Sequence, residues 1–272
     1  MAFGSIALRL LLLLGVLAAE QGLMIHASTI GVRVNGSGKV GLAWSNANPE
    51  FINNFATAKV STVYNWSPDK IDGLDALGLE YIPMLWGTTQ IAAFQSLVVP
   101  GYASHVLGFN EPDREDQSNL SPAEAAVLWK QYIEPLKGSG YQLISPSIST
   151  GTTGVPWLHS FFSACDGRSF DGVALHVSTT DPNVFIQHLE EVHNEFNLPV
   201  WVTQFACEDL GEGVGCTEDQ GISFMNTVTA FMDDTDWVEK YFAFGLQAGV
   251  TGPNQLIDQN GLPTELGKVY ID

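Results

Sequence analysis

Positive charge is scarce in this 272-residue chain: Lys and Arg number 11 against 30 Asp and Glu, for a formal net charge of -19. Contact with phosphate backbones or anionic membranes relies on clustered Lys and Arg, so nucleic acid and lipid surfaces are poor partners. Charge of either sign is sparse, at 15% of residues, while aromatics reach 11%. That balance suits a neutral, hydroxyl-rich ligand laid against ring faces. Long apolar runs are lacking too. Leu10 to Ala19, behind the single cation Arg9, is shorter than the roughly 20 residues that span a bilayer and has the length of a secretory leader's apolar core. Residues 1–27 are read as a signal peptide, cut after Ala27 or nearer Ala18 or Ala19, and 28–272 as one domain. The mature protein is expected outside the cell, with no membrane attachment.

Cysteine is nearly absent: Cys165, Cys207 and Cys216 form no C-x-x-C pair, so metal-ligand spacing is missing and no metal or cofactor is expected. An odd number in a secreted chain leaves one pair and one remainder. Cys207 and Cys216 flank the Gly-rich stretch Leu210 to Gly215, a loop that closes on itself, and a disulfide is expected there.

Eight β-rich segments alternate with helical patterns: Lys39–Trp44, Ser61–Trp66, Glu80–Trp86, His105–Asn110, Tyr141–Ser145, Gly172–His176, Pro199–Gln204 and Glu239–Phe244. Alternation of this kind implies parallel strands with crossover helices. A doubly wound nucleotide-binding sheet calls for a Gly-rich turn after its first strand, and Trp44 to Asn48 contains no G-x-G-x-x-G. Eight repeats in a chain of this size therefore predict an α/β fold, a single-domain (β/α)8 TIM barrel, expected as a monomer. Ser121 to Lys137 reads as a helix opened by a capping box of Ser121 and Glu124 and stopped by Pro135. Asp181 caps another that begins at Pro182, with Glu190 and His193 toward solvent.

Polar and aromatic residues collect at the strands' C-terminal ends, the face where barrels carry their sites. The sharpest motif is Gly108-Phe109-Asn110-Glu111-Pro112-Asp113. A strand-end Glu111 beside aromatic surface suits a general acid and base. Asn110 beside it suits a hydrogen bond to a sugar 2-OH. Trp44, Trp66 and Trp86 are candidates to stack on pyranose rings, with Asn65 among them as a polar contact. His176 reads as a hydrogen-bonded rim histidine, since no second ligand lies at metal spacing.

With these motifs in place, the sequence resembles glycoside hydrolase family 128, the alkali-sensitive-linkage type of catalytic domain common in fungi. The resemblance rests on Gly41-Leu42-Ala43-Trp44, Tyr64-Asn65-Trp66, Pro83 to Gly87, Leu107 to Asp113, Ser145-Pro146-Ser147, Phe170 to His176 and Pro199 to Cys207. It implies a compact barrel acting on β-1,3-glucan with Glu at the ends of strands four and seven, the first of them Glu111 as acid and base. At the second position this chain has Gln204 within Trp201-Val202-Thr203-Gln204-Phe205. A neutral amide supplies no anionic nucleophile, so double displacement lacks its first step. Binding without hydrolysis is the expectation, and an active or engineered, nucleophile-inactivated retaining endo-β-1,3-glucanase is the alternative. Against engineering stand the leader, His176-Val177-Ser178 where the family has His-Trp-Tyr, and Arg168 where a second cysteine is usual. The expected partner is β-1,3-glucan or a related polysaccharide, of the cell wall or extracellular space.

Overall fold

Val40-Gly41-Leu42-Ala43 is buried at every position, as is Gly172 to Ser178. Continuous burial, in place of alternation, marks strands covered on both faces. In the computed structural model, which describes residues 38–44, 48–166, 170–209, 214–247 and 250–272, these runs build a parallel barrel. The signal peptide read at 1–27 lies outside the described residues. The strands are β1 (Val40–Ala43), β2 (Val60–Tyr64), β3 (Glu80–Tyr81), β4 (His105–Leu107), β5 (Gln142–Ile148), β6 (Gly172–Ser178) and β7 (Val200–Ala206). A short hairpin, β8 (Glu208–Asp209) with β9 (Val214–Gly215), precedes β10 (Val238–Ala243).

The eight-stranded sheet runs β3-β2-β1-β10-β7-β6-β5-β4. It closes between β3 and β4 through a parallel bridge of Met84 with Leu107, in which the Leu107 amide donates to the Pro83 carbonyl at 2.9 Å. β3 is short because Pro83 has no amide to add to a ladder, yet the segment beyond it still carries the closure. On the other side of β4, Gly108 lets β5 approach closely: a Cβ there would lie 2.7 Å from the Pro146 nitrogen.

Helices α1 (Leu74–Leu77), α2 (Ile91–Leu97), α3 (Pro122–Leu128), α4 (Gly154–Ala164), α5 (Pro182–Phe196), α6 (Glu218–Asp234) and α7 (Glu265–Ile271) join the strands. The capping box at α3 forms with both of its hydrogen bonds. The helix expected over Ser121–Lys137 is, however, three pieces: α3, a π turn over Trp129–Ile133 and a 3-10 turn over Glu134–Ser139. Pro135 cannot donate to the carbonyl one turn back, so the chain widens and then tightens around it. Asp181 caps α5 by accepting from the Asn183 amide at 2.8 Å. Glu190 is exposed, but His193 stacks on Trp237 with ring centroids 4.4 Å apart, which corrects its expected place in solvent.

Two apolar layers result. Tyr64, Met84, Leu107, Ile144, Trp201 and Phe242 fill the barrel interior, while Leu42, Val63, Phe161, Phe185 and Val228 belong to the larger core that the helices cover. Cys207 and Cys216 are joined in a disulfide, their Cα atoms 5.7 Å apart. Cys165 is buried at the end of α4, outside that bridge.

Candidate functional site

Glu111 lies just past β4, where Asn110 pairs with Ser147 of β5. Its backbone is left-handed, with φ of 39°, a conformation that costs a non-glycine residue about 1 kcal/mol or more and is held only by its surroundings. The hold is visible. The Glu111 amide donates to the Ser147 carbonyl at 2.8 Å, and the Asn110 carbonyl accepts from both the Ser118 amide and its hydroxyl. Two residues on, Asp113 accepts from the Ser149 amide at 3.0 Å and from the Thr153 hydroxyl at 2.9 Å, which pins the β4 loop to the β5 loop.

The Glu111 side chain, 7% exposed, meets His176 of β6 through Oε1 and Nδ1 at 2.8 Å. Its other oxygen lies 3.6 Å from Nε of Arg114, whose guanidinium is forked onto Asp116. His176 stands in register with Gln204 of β7, so the three side chains come from β4, β6 and β7, with β5 between the first two. Gln204 is half-buried. The strand that carries it is fixed from inside the barrel: the Tyr64 hydroxyl donates to the Thr203 carbonyl at 2.7 Å, and the Thr203 hydroxyl donates to the Ser147 hydroxyl at 2.9 Å. Burial drives the Tyr64 pKa far up and the charge of Glu111 adds to the effect, so the phenol stays a donor.

Two atoms here have no protein partner among the described residues. Asn110 gives its amide hydrogens to Gln117 at 3.1 Å, but its Oδ1 is buried and unsatisfied, as is Nε2 of His176. A buried polar atom without a partner costs about 1–3 kcal/mol, a burden that folds tolerate mainly where a ligand or function uses it.

The sequence matches the family described as "Glycosyl hydrolase catalytic core" over residues 41–270. The chain belongs to that family. Among curated proteins it is 32% identical over 243 residues to the alkali-sensitive linkage protein 1 of Schizosaccharomyces pombe; the match takes in 86% of this chain and spans 44% of that relative's length. Among solved structures it resembles a family 128 (subgroup II) endo-β-1,3-glucanase from Sorangium cellulosum, with 29% identity, TM-score 0.74, and 86% and 98% of the two chains covered. A family 128 (subgroup VII) oligosaccharide-binding protein from Cryptococcus neoformans is similar at 27% identity and TM-score 0.72, over 86% and 93% of the chains.

In this glycosyl hydrolase core, Trp66 and Trp86 are half-buried and pack on the barrel's inner cluster at its upper end. Gln90, which the sequence did not single out, clamps them: its amide donates to the Trp66 carbonyl at 3.0 Å, and its oxygen accepts from the Trp86 amide at 3.1 Å. Trp44 and Asn65 need correction as ligand contacts. Ala43 takes the inward position at the end of β1, so Trp44 points outward, 1% exposed, and meets Phe55 edge-on at 5.6 Å. It has no face to offer a sugar. Asn65 accepts from the Tyr81 hydroxyl at 2.7 Å and donates to the Asp69 carbonyl at 3.0 Å; its amide is spent on the β2 loop. Arg114, Tyr64 and Asp113 were also missed as site residues, and of these only Tyr64, two positions before Trp66 on the same strand face, left a signal in the sequence.

The β8–β9 hairpin stands beside Gln204, closed by the Cys207–Cys216 disulfide. Asp209 accepts from the Thr180 amide and hydroxyl, both at 3.1 Å, and Glu208 accepts from Asn254 at 3.3 Å. Both carboxylates are thus committed to neighbouring loops. Among the described residues, no group of three His, Cys, Asp or Glu side chains is arranged to hold a metal ion.

Proposed function

We propose that this chain is a secreted β-1,3-glucan-recognising protein that keeps the cleft of a family 128 glycosyl hydrolase and has little or no hydrolysis. The observation that carries the reading is Gln204, in register with His176 and following Trp201-Val202-Thr203, where the family resemblance calls for glutamate. A retaining glycosidase forms a covalent intermediate from one carboxylate while the other protonates the leaving oxygen. An amide has neither the charge nor the leaving ability for that exchange. Glu111 faces His176 at 2.8 Å and the Arg114 guanidinium at 3.6 Å. Its carboxylate, the unsatisfied oxygen of Asn110 and the faces of Trp66 and Trp86 form a set that accepts hydroxyls and stacks on pyranose rings. The oligosaccharide-binding relative, similar over nearly its full length, supports binding as an end use of this fold. The retained Asn110-Glu111 pair favours the second reading, an active retaining endo-β-1,3-glucanase.

Calorimetric titration with β-1,3-gluco-oligosaccharides, run beside a reducing-end assay on soluble β-1,3-glucan, separates the two. Binding without measurable hydrolysis is expected. Turnover at rates usual for glycosidases overturns the reading, and so does a complete lack of binding.

A further inference from the structure

Two concavities flank α5 on the outside of the barrel. One, of about 360 Å³, starts at Thr150, Ser178 and Thr179 and is walled by Val184 and Gln187. The other, of about 510 Å³, lies between Val155 and Pro156 in the first turn of α4 and Val192 and Glu195 of α5. Gly151, His188 and Glu191 line both, so the two adjoin along α5 and are treated as one groove. From Val184 to Glu195 it follows α5 for roughly 16 Å at the helical rise of about 1.5 Å per residue. Glu195 is paired with His159 at 2.8 Å, which closes the far end.

The near end is built on the cleft. The Thr150 hydroxyl donates to the carbonyl of His176 and accepts from the Ser178 amide, both at 2.9 Å. The groove therefore begins at the C-terminal end of β6, the strand that carries His176. The lining fits the same ligand chemistry. Val184, half exposed at 51%, with Val155 and Pro156, gives aliphatic surface for the CH faces of a sugar. Gln187 and Glu191, themselves linked at 2.8 Å, offer amide and carboxylate edges for hydroxyls. His188 adds a buried Nε2 with no partner, and burial lowers its pKa, so the ring is a neutral imidazole. Among the described residues, neither concavity is lined by Lys or Arg, so no described cation is there to pair with an anionic ligand.

We propose that this groove is a secondary subsite holding the continuation of a β-1,3-glucan chain whose other end occupies the Glu111–His176 cleft, an inference that rests on the glucan-recognising reading above. It makes affinity depend on chain length, because each segment raises the effective concentration of the other. The test compares a short β-1,3-gluco-oligosaccharide that fills only the cleft with a long one that reaches α5. Wild type is titrated beside Thr152→Trp and Glu191→Ala, both at exposed positions of the groove wall, where substitution leaves the core untouched. Wild type should bind the long ligand about tenfold more tightly than the short one. Both variants should bind the short ligand as wild type does and lose the gain from length. Hydrogen exchange over residues 184–191 should slow with the long ligand alone. A length gain that survives in both variants, or no gain in wild type while the short ligand binds, overturns the groove. Failure of wild type to bind either ligand overturns the glucan reading first, and the groove falls with it.

Discussion

The two ends of the barrel treat their polar groups differently. At the N-terminal end, Glu80 opens β3 and meets His105 of β4 at 2.9 Å while also accepting from Ser104; Trp201 donates to Glu239 at 2.8 Å, and Lys240 donates to the Gly38 carbonyl at 2.5 Å. Each of these side chains has a protein partner. At the C-terminal end, Asn110 Oδ1 and His176 Nε2 have none among the described residues, and Trp66 and Glu111 sit in left-handed backbone at φ of 55° and 39°. Left-handed non-glycine backbone also occurs at the N-terminal end, at Asn197 before β7 with φ of 52°, so the contrast between the rims rests on the unmet hydrogen bonds. Proteins keep such defects where they serve a ligand, so the contrast locates the site without reference to any relative.

The largest expected effect tests what the upper rim lacks. Gln204→Glu changes volume little and supplies the anion that double displacement needs. Hydrolysis of soluble β-1,3-glucan should rise by orders of magnitude over wild type, since a covalent nucleophile is worth several kcal/mol of transition-state stabilisation. The product should first appear with its β configuration, visible by NMR. Equal rates in the two proteins would remove Gln204 from the nucleophile's place and with it the argument for a binding protein.

Much of this contrast was legible in the sequence, and the reasons differ by element. Continuous apolar runs such as Gly172 to Val177 announced strands covered on both faces, and eight of them with crossovers left a barrel as the compact solution. The Ser121-Glu124 capping box reads locally because its bonds span three residues. Trp44 was misread because strand parity decides it: one step along the chain turns an indole from mouth to core, and the sequence alone does not say where β1 stops. Asn65 was misread because its partner, Tyr81, arrives from the next strand. Arg114 and Gln90 lie on loops with no periodicity to betray them, so only the folded geometry puts them beside Glu111 and between Trp66 and Trp86.

The hairpin beside Gln204 is held by a bridge between residues nine apart in sequence. Chain-entropy arguments give a loop of that size about 2–3 kcal/mol. Replacing both cysteines, Cys207→Ser with Cys216→Ser, should lower the melting temperature by several degrees. Asp209 remains to tether the hairpin to Thr180, so binding of a short ligand should weaken less than stability does. A larger loss of binding than of stability would make the hairpin part of the site itself.

A crossed pair of substitutions sharpens the comparison further. Asn110→Leu removes an unsatisfied buried oxygen, together with the amide that donates to the part-exposed Gln117, with little change of shape. It should leave stability within about 1 kcal/mol of wild type and weaken oligosaccharide binding about tenfold. His105→Leu removes a satisfied partner of Glu80 and should do the reverse, costing about 1–3 kcal/mol in denaturant unfolding with no change in affinity. If both substitutions act mainly on stability, the two rims do not differ in kind.

The smallest effect is the pH dependence of the lower rim. Burial acts to raise the Glu80 pKa, but hydrogen bonds from His105 and Ser104, with the charges of His105 and Lys240, outweigh it and hold the carboxyl below its ordinary value. A carboxyl whose pKa is lower in the folded than in the unfolded state stabilises the fold fully above its unfolded pKa, about 4.3, and that contribution is lost as pH falls through the folded value. Glu80 is only partly buried, so solvent screens the interaction and the contribution is about 1 kcal/mol or less. Wild type should therefore be slightly more stable than Glu80→Gln at neutral pH, and the difference should close as pH drops below about 4. Urea unfolding of both proteins across that range measures it, with the other carboxylates cancelling between them. A difference that stays constant with pH would mean that Glu80 acts through packing or neutral hydrogen bonds, and its charge pairing with His105 would have no energetic content.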